Sequence, residues 1–302
     1  MTALLALLLT AAPSVELAPS AARPGDAVLV RVIGAAMEPT GTLAGRPLAF
    51  WAARGEWRAL AALPVETPAG PAPVQIAVQG ALLAARLEVV EPGFASHRLT
   101  LAPRFVEPPE AVKARIAQDR RAFALAYDRP FAPPHFRRSF LWPRRAQVSG
   151  RYGDQRVLNG TTESVHYGLD LRGPRGAPIA AANDGEVAIA RDAYLSGKTV
   201  VLHHGAGVHT AYFHLDRMLV RAGQRVRRGQ VIGRLGSTGR STGPHLHFSA
   251  KVDGLYVDPE SLLAIDFGHG AAPPRSSPAV SAPPKVASPA SAPPPRPPPA
   301  GQ

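Results

Sequence analysis

The sequence Gly233-Arg-Leu-Gly-Ser-Thr-Gly-Arg-Ser-Thr-Gly-Pro-His-Leu-His-Phe248 ends in two histidines, His245 and His247, separated by one residue. If the end of this stretch is extended, both imidazoles point to one face, and Leu246 and Phe248 point to the other. An imidazole is costly to bury without polar partners. The pair therefore indicates either a metal centre or two surface histidines on an edge strand, and further ligands elsewhere in the chain would decide for the metal.

Such ligands lie upstream, in the segment His166-Tyr-Gly-Leu-Asp170. A helix is disfavoured here because Gly168 lies inside the segment and a Gly- and Pro-rich run follows at residues 173–178. In an extended segment, positions i and i+4 also share a face, and Gly168 has no side chain to obstruct a metal ion. His166, Asp170, a histidine of the downstream pair and a water would make a four-coordinate zinc site of the catalytic kind.

A third segment, Tyr212-Phe-His-Leu215, lies between the first two in the chain. The motif at residues 166–170, this segment and residues 236–247 together resemble the lysostaphin-type (LytM-domain) zinc endopeptidases. Those enzymes cleave peptide bonds in peptidoglycan. The resemblance runs from about residue 142 to residue 263, and the motifs stand in the order of the family.

The resemblance implies roles for five residues. His166, Asp170 and His247 would hold one Zn²⁺ per chain, and His214 and His245 would be the catalytic histidines. We assign His245 to orienting and deprotonating the attacking water, and His214 to stabilising the oxyanion or sharing the base role. A glutamate base is not expected, because the chain has no His-Glu-x-x-His motif.

Peptidoglycan stem peptides and their cross-links are the expected substrate. We favour a bond between D-alanine and a diamino acid, with a glycine bridge as the alternative. Some relatives lack zinc ligands and activate other hydrolases without catalysis. The alternative function is therefore a metal-binding but catalytically silent, wall-binding module that activates another murein hydrolase. The intact set of five residues favours an active endopeptidase.

The composition limits the partners and the chemistry. With 34 Lys and Arg against 22 Asp and Glu, the formal net charge of the 302 residues is +12, which favours contact with polyanions such as anionic wall polymers. Nucleic acid is not expected, because the few aromatic residues are not interleaved with the basic ones. No cysteine is present, so a metal must be held by histidine and carboxylate.

Residues 1–12 form a short apolar run that ends in small residues, which is typical of a signal peptide. The run lacks the basic residue that usually precedes the apolar part, and a buried N-terminal strand is the alternative. It is too short to span a membrane, and no other stretch is a transmembrane candidate. We therefore expect export to the periplasm or the extracellular space.

Short alternating segments with Gly- and Pro-bearing turns predict a mainly β chain that begins with an immunoglobulin-like β-sandwich at residues 15–92. Val28, Val30 and Val32 alternate with Leu29 and Arg31, which predicts a strand with one buried face. The sandwich is expected to position or orient substrate, or to be a structural cap.

Residues 93–141 are predicted to be a linker with one helix at residues 109–127, followed by a connector at residues 129–145 that lies on the surface. Residues 142–267 would form an antiparallel, β-roll-like peptidase domain. The run at residues 223–233 resembles the turn-and-strand pattern of biotinyl- and lipoyl-carrier domains, but it lacks their lysine at a hairpin tip. Residues 268–302 are rich in Ala and Pro and are predicted to be disordered.

Residues 198–203 and 208–214 are predicted to form a hairpin, and the segment before Val165 a loop at the cleft rim. Alternation along the second hairpin strand predicts that His214 points into the cleft while Phe213 is buried. Tyr212 is a weaker candidate for binding substrate. The remaining histidines of the hairpin are expected to be structural: His203, His204 and His209.

Overall fold

The computed structural model describes residues 12–160 and 162–268. Residues 1–11 of the predicted signal peptide and residues 269–302 of the predicted tail lie outside the described residues, so both stay predictions. In the part of the chain that is described, no helix combines the length and the apolar character needed to cross a membrane.

The first described part of the chain, up to residue 89, consists of strands in two sheets. The strands are β1 (Ser14–Ala18), β2 (Ala21–Ala22), β3 (Ala27–Ile33), β4 (Thr40–Leu43), β5 (Arg46–Pro47), β6 (Trp51–Ala53), β7 (Glu56–Ala62), β8 (Gly70–Val78) and β9 (Ala81–Val89). Their orders are β1-β3-β7-β6 and β2-β9-β8-β4-β5. Both sheets contribute side chains to one core. That this sandwich is of the immunoglobulin type stays a prediction.

Strand β3 is buried on both faces. The face with Val28, Val30 and Val32 packs into the core of the sandwich, as its alternation predicts. The opposite face, with Ala27 and Leu29, packs into the core of the C-terminal part of the chain. The expectation of one buried face was therefore wrong, because the C-terminal part covers the face that the pattern assigns to solvent.

The predicted linker contains β10 (Ser96–Leu99), α1 (Pro103–Val106) and α2 (Glu110–Tyr127) among the described residues. Helix α2 has nearly the predicted bounds, with Glu110 in the first turn, where a carboxylate complements the helix dipole. The sequence did not predict β10 or the four-residue helix α1. β10 pairs in parallel with residues 155–158 of the C-terminal part, so this segment is more than a linker.

The connector at residues 129–145 is only partly on the surface. Phe136 and Phe140 are buried, and their ring centroids lie 5.0 Å apart. Both rings also contact Phe267, at 5.0 Å and 6.0 Å. The prediction of a segment draped over the surface was wrong at these two residues, because their aromatic rings complete the C-terminal core.

The C-terminal part is a further set of strands with one short helix. The elements are β11 (Val148–Gly150), β12 (Gln155–Leu158), β13 (Thr162–Val165), β14 (Leu169–Arg172), β15 (Pro178–Ala180), β16 (Gly185–Ala193), β17 (Gly197–His203), β18 (Val208–Met218), β19 (Arg225–Val226), β20 (Val231–Leu235), β21 (His245–Val252), β22 (Leu255–Val257) and α3 (Pro259–Ala264).

The main sheet has the order β11-β14-β21-β18-β17-β16-β19, with β15, β20 and β22 attached to its side. The pairings along this path are antiparallel, as predicted. β12 and β13 form a separate hairpin with β10. The loop predicted before Val165 is therefore a strand: Asn159 and Gly160 have positive φ angles of 52° and 78°, which make a tight turn and let the flanking residues pair.

Candidate metal centre and active site

Asp170 and His247 are direct cross-strand neighbours on the main sheet. β14 runs antiparallel to β21, and the register places Asp170 opposite His247. The alternating residues Leu169, Leu246 and Phe248 are fully buried on the opposite face. Because a slip of one residue would turn these apolar side chains out of the core, their burial fixes both polar side chains on the same side.

His166 approaches this pair from the segment just before β14. Its Nε2 lies 3.1 Å from Oδ1 of Asp170 and 2.9 Å from Nδ1 of His247. The third separation, between Nδ1 of His247 and Oδ1 of Asp170, is 2.9 Å. Ligands of a tetrahedral zinc ion lie about 3.3 Å apart. The three atoms therefore have the spacing of a metal-ligand set, and no other such set occurs among the described residues.

In each of the two ligand histidines, one ring nitrogen is hydrogen-bonded within the protein, which leaves the other nitrogen free for a metal. Nδ1–H of His166 donates to the carbonyl oxygen of Arg151 at 2.7 Å, which leaves the Nε2 lone pair. The Ser249 hydroxyl donates to the carbonyl of Tyr167 at 2.6 Å and lies 2.9 Å from Nε2 of His247. This network assigns the proton of His247 to Nε2 and frees Nδ1. The donor set fits a zinc ion on these grounds.

The electrostatics of the site keep these groups in their metal-binding protonation states. Burial alone would raise the pKa of Asp170, but hydrogen bonds and charge from His166 and His247 hold it well below its usual range. Burial lowers the pKa of His247 to about 4, and the hydrogen bond to Asp170 opposes that shift. A carboxylate and neutral imidazoles are the forms that bind a metal.

The two predicted catalytic histidines stand beside this triad. Nδ1 of His214 lies 2.8 Å from the carbonyl oxygen of Thr238, and Nδ1 of His245 lies 2.8 Å from that of Gly243. Each Nδ1–H therefore donates to the backbone, and each Nε2 is left with a lone pair. The ring centroids lie 4.9 Å apart, and Nε2 of His245 is 3.7 Å from Oδ1 of Asp170. Two bases thus flank the position between the ligands.

A β-bulge in β18 aims His214 at the site. Phe213 and His214 together lie opposite one residue of β17, Thr199, and His214 has a left-handed φ of 59°. Such bulges re-aim a side chain. His214 points into the site as predicted, but because of the bulge and not because of simple alternation. The prediction that Phe213 is buried was wrong: its ring is only half-buried and lies 5.2 Å from the ring of His247.

Tyr212 is not a substrate-binding residue. Its side chain is fully buried, and its hydroxyl accepts a hydrogen bond from the backbone N–H of Ala182 at 2.7 Å. The same hydroxyl lies 3.0 Å from Oγ1 of Thr210. Tyr212 belongs to the core because it precedes the bulge and keeps the inward direction of the strand.

The other histidines of the hairpin lie away from the triad. His204 is buried, with Nδ1 2.7 Å from the carbonyl oxygen of Asp184 and Nε2 2.8 Å from Oγ1 of Thr210. His209 is buried beside the half-buried His203, with ring centroids 4.8 Å apart. None of the three belongs to the one cluster of possible metal ligands among the described residues, and their structural role stays a prediction.

The sequence reasoning missed the residues that orient the ligands. Arg156 donates to Oδ2 of Asp170 at 2.7 Å, and no motif pointed to it. Ser249 could have been found, because it stands two positions after His247 on a strand and so shares its face. The carbonyl groups of Thr238 and Gly243, which orient His214 and His245, belong to the backbone and so cannot be recognised from side-chain identity.

Comparison with known proteins gives consistent matches. Residues 164–259 match the model of Peptidase family M23. Peptidoglycan DD-endopeptidase ShyC of Vibrio cholerae serotype O1 is 38% identical over 146 residues, which are 48% of this chain and 31% of that protein. ShyA of the same organism, also named peptidoglycan DD-endopeptidase, is 45% identical over 107 residues, 35% of this chain and 25% of that protein. The chain thus spans about a quarter to a third of the length of these relatives.

A solved structure matches over more of the chain. The crystal structure of a protein provisionally assigned to peptidase M23, from Pseudomonas aeruginosa, aligns with a TM-score of 0.59 at 26% identity. It covers 80% of this chain and 93% of that one, so the likeness extends beyond the residues matched by the family model. The antiparallel sheet and its His-Asp-His triad define a domain of the metallopeptidase class. Residues 164–259 form a Peptidase family M23 domain, and the resemblance of this part of the chain to LytM-type enzymes is confirmed.

Proposed function

We propose that the protein is a zinc-dependent endopeptidase that hydrolyses the peptide cross-links of bacterial peptidoglycan. The observation that carries the proposal is the joint geometry of five residues. Three ligand atoms lie 2.9–3.1 Å apart, and two histidines beside them have Nδ1 tied to backbone carbonyls. A catalytically silent module needs only the ligands, so the oriented pair of bases favours an enzyme.

In this proposal His166, Asp170 and His247 hold the zinc ion. Zinc in such a site supplies Lewis acidity, which polarises a carbonyl group and lowers the pKa of water. His245 accepts the proton of the attacking water at Nε2. His214 lies deeper, where burial and the neighbouring histidines lower its pKa to about 3, and it stabilises the oxyanion or shares the role of base.

The bond we propose joins D-alanine to a diamino acid. The names of the two Vibrio relatives, peptidoglycan DD-endopeptidases, support this bond over a glycine bridge. Such a substrate agrees with export by the predicted signal peptide to the periplasm or beyond. The surplus of basic residues would favour contact with anionic wall polymers.

The division of the chain into a sandwich at residues 15–92, a linker at 93–141 that also adds β10 to the hairpin of β12 and β13, and a peptidase domain at 142–267 is part of the proposal. We propose that the sandwich is of the immunoglobulin type. Its first sheet packs against the peptidase core through β3 and β7, which supports a role as a structural support for the catalytic sheet.

Digestion of purified peptidoglycan tests the proposed function. Wild-type protein is incubated with the polymer beside the His247→Ala variant, and the soluble products are read by mass spectrometry. We expect uncrosslinked peptides from the wild type alone, with masses that identify the bond.

The His214→Ala variant serves as the second arm, because it leaves the three ligands intact. If neither wild type nor variants release peptides while the wild type binds one zinc per chain, the silent-module alternative replaces the enzyme.

A further inference from the structure

The face of the main sheet that carries the metal ligands continues past them. On β21, the side chains at alternate positions share a face, and His245, His247, Ser249 and Lys251 occupy such positions. Lys251 stands four residues beyond His247, a distance of about 13 Å along a strand. An extended peptide held over the metal centre therefore reaches Lys251 within about four residues.

A cavity lies over this part of the sheet, between the sheet and helix α2. Its volume is about 360 Å³, and its walls include Phe123 and Tyr127 of the helix together with Phe213, Lys251 and Tyr256 of the sheet. Phe213 contacts the ring of His247 at 5.2 Å. One side chain thus borders both the cavity and a metal ligand, so the cavity adjoins the metal centre.

Lys251 presents a cation to this cavity. Its Nζ lies 4.4 Å from the ring centroid of Tyr127 and 4.2 Å from that of Tyr256. Burial in this environment lowers the pKa of Lys251, and the one carboxylate among the residues that line the cavity is that of Asp119. Two aromatic rings hold the ammonium in place while leaving its charge unneutralised.

The acidic residue of the cavity wall is already paired. Asp119 accepts hydrogen bonds from Nε of Arg191 at 2.6 Å and from the backbone N–H of Tyr194 at 2.8 Å. These bonds also fasten α2 to the end of β16. Arg120, next to Asp119 in the wall, adds a second cation. The cavity is therefore apolar and aromatic with a net positive charge, which is complementary to a carboxylate on an otherwise apolar peptide segment.

We propose that this cavity is a substrate subsite for a free carboxylate of the stem peptide, with Lys251 as the anion-binding residue and α2 as its outer wall. The inference rests on the proposed function, because it names a further part of the same substrate. It assigns a specificity role to a helix that lies outside the residues matched by the family model. Recognition of this kind selects cross-linked peptides whose carboxyl groups are free over those in which they are amidated.

The test uses one cross-linked peptide dimer with a D-alanine–diamino acid bond, made in two forms. The forms differ only in their carboxyl groups away from the scissile bond, which are either free or converted to carboxamides. Cleavage of both is measured with zinc-loaded wild type, Lys251→Met, Lys251→Arg and the control Lys113→Met. Lys113 is an exposed cation of α2 that does not line the cavity.

We expect the wild type to prefer the free carboxylate by about tenfold or more in KM, the size of one charge-assisted hydrogen bond. Lys251→Met should lose that preference, because its KM for the dimer with free carboxylates should rise to that for the amidated dimer. Lys251→Arg and Lys113→Met should keep the preference. An unchanged preference in Lys251→Met, or none in the wild type, overturns the subsite.

Binding separates this inference from the proposed function. The affinity of both dimers is measured by calorimetry on His245→Ala, with and without Lys251→Met. Suppose that neither the wild type nor any variant cleaves the dimers, but His245→Ala binds the free-carboxylate dimer more tightly than the amidated one and loses this difference with Lys251→Met. The endopeptidase proposal then fails and the subsite stands. Cleavage without any discrimination overturns the subsite alone, and a lack of both binding and cleavage overturns both.

Discussion

Nη2 of Arg156 donates a hydrogen bond to Oδ2 of Asp170 at 2.7 Å, while Oδ1 of the same carboxylate faces His166 and His247. The guanidinium thus fixes which oxygen is left for the metal. Gly150 makes room for the contact, since a Cβ at that position would lie 2.5 Å from Nη2 of Arg156. A charged donor in this position both neutralises and orients the ligand.

We predict that Arg156→Ala lowers zinc affinity about tenfold or more, as losses of ligand-orienting partners do. The measurement is competition for zinc against a chelator of known affinity. Arg156→Lys should recover part of the affinity, because an ammonium restores the charge but not the planar donor. Arg145, an exposed arginine, supplies the control: an equal loss in Arg145→Ala would show that the effect comes from general charge.

His214 and His247 should separate catalysis from metal binding. His247→Ala removes a ligand, so both zinc content and turnover should be lost. His214→Ala removes only a base tied to Thr238, so it should keep one zinc per chain and lose about 10²-fold or more in kcat. Zinc is counted by elemental analysis beside peptidoglycan turnover. Loss of zinc from His214→Ala with normal turnover after metal is restored would reverse our division of roles.

Gly168→Ala should disturb the metal centre, because the added Cβ would clash with β21, the strand that carries His247. A Cβ there would lie 2.6 Å from the carbonyl oxygen of Phe248 and 2.8 Å from Cε1 of His247. Either β14 or the imidazole must move, so we expect a destabilisation of about 2 kcal/mol and weaker zinc binding. Urea unfolding with and without chelator separates the two effects. Unchanged stability without metal together with unchanged zinc affinity would contradict the close approach.

Stability should fall in mild acid because of His204. Burial lowers the pKa of this imidazole to about 4 in the folded protein, while the unfolded chain titrates near 6.5. Between these values the unfolded state binds a proton that the folded state does not. The free energy of unfolding is therefore highest above about pH 7 and decreases as the pH falls toward 4, by about 3 kcal/mol from this group.

The contribution of His204 to the pH dependence of stability is measured by comparing the wild type with a variant that lacks this imidazole. Urea unfolding at pH 7.5 and pH 5 is compared between wild type and His204→Gln, which keeps an amide donor for the carbonyl of Asp184. The variant should be less stable at pH 7.5 but lose less stability on acidification. The exposed His135 serves as the control, and His135→Gln should follow the wild type. Equal pH dependence in His204→Gln and wild type would show that His204 does not cause it.

That the candidate site residues lie together was predictable, because several of them stand at short spacings in the sequence. The pair His245 and His247 lies on one strand, so period-two alternation placed both on one face. The resemblance supplied His166, Asp170 and His214. The orienting partners were harder to predict, since Arg156 reaches Asp170 across a separate hairpin and the other two acceptors are backbone carbonyls.

Predictions from local sequence patterns were wrong where a segment far away in the chain changes the surroundings of a residue. The bulge at His214 depends on the register between β17 and β18, which alternation cannot supply. Phe136 and Phe140 lie in a Pro-rich connector that resembles a surface segment until Phe267 is brought beside them. Such contacts join residues far apart in the chain, and no window of sequence contains both partners.

Because β3 is buried on both faces, we expect the sheet that carries the candidate metal ligands to be less stable without the sandwich. Ala27 and Leu29 of β3, with Leu60 of β7, belong to the same apolar cluster as Leu169 and Leu246 behind the metal ligands. A peptidase domain produced without the sandwich would expose this cluster to water and tend to aggregate. Substitutions in β3 would accordingly reduce the amount of competent enzyme in a cell while leaving the rate of each folded molecule unchanged.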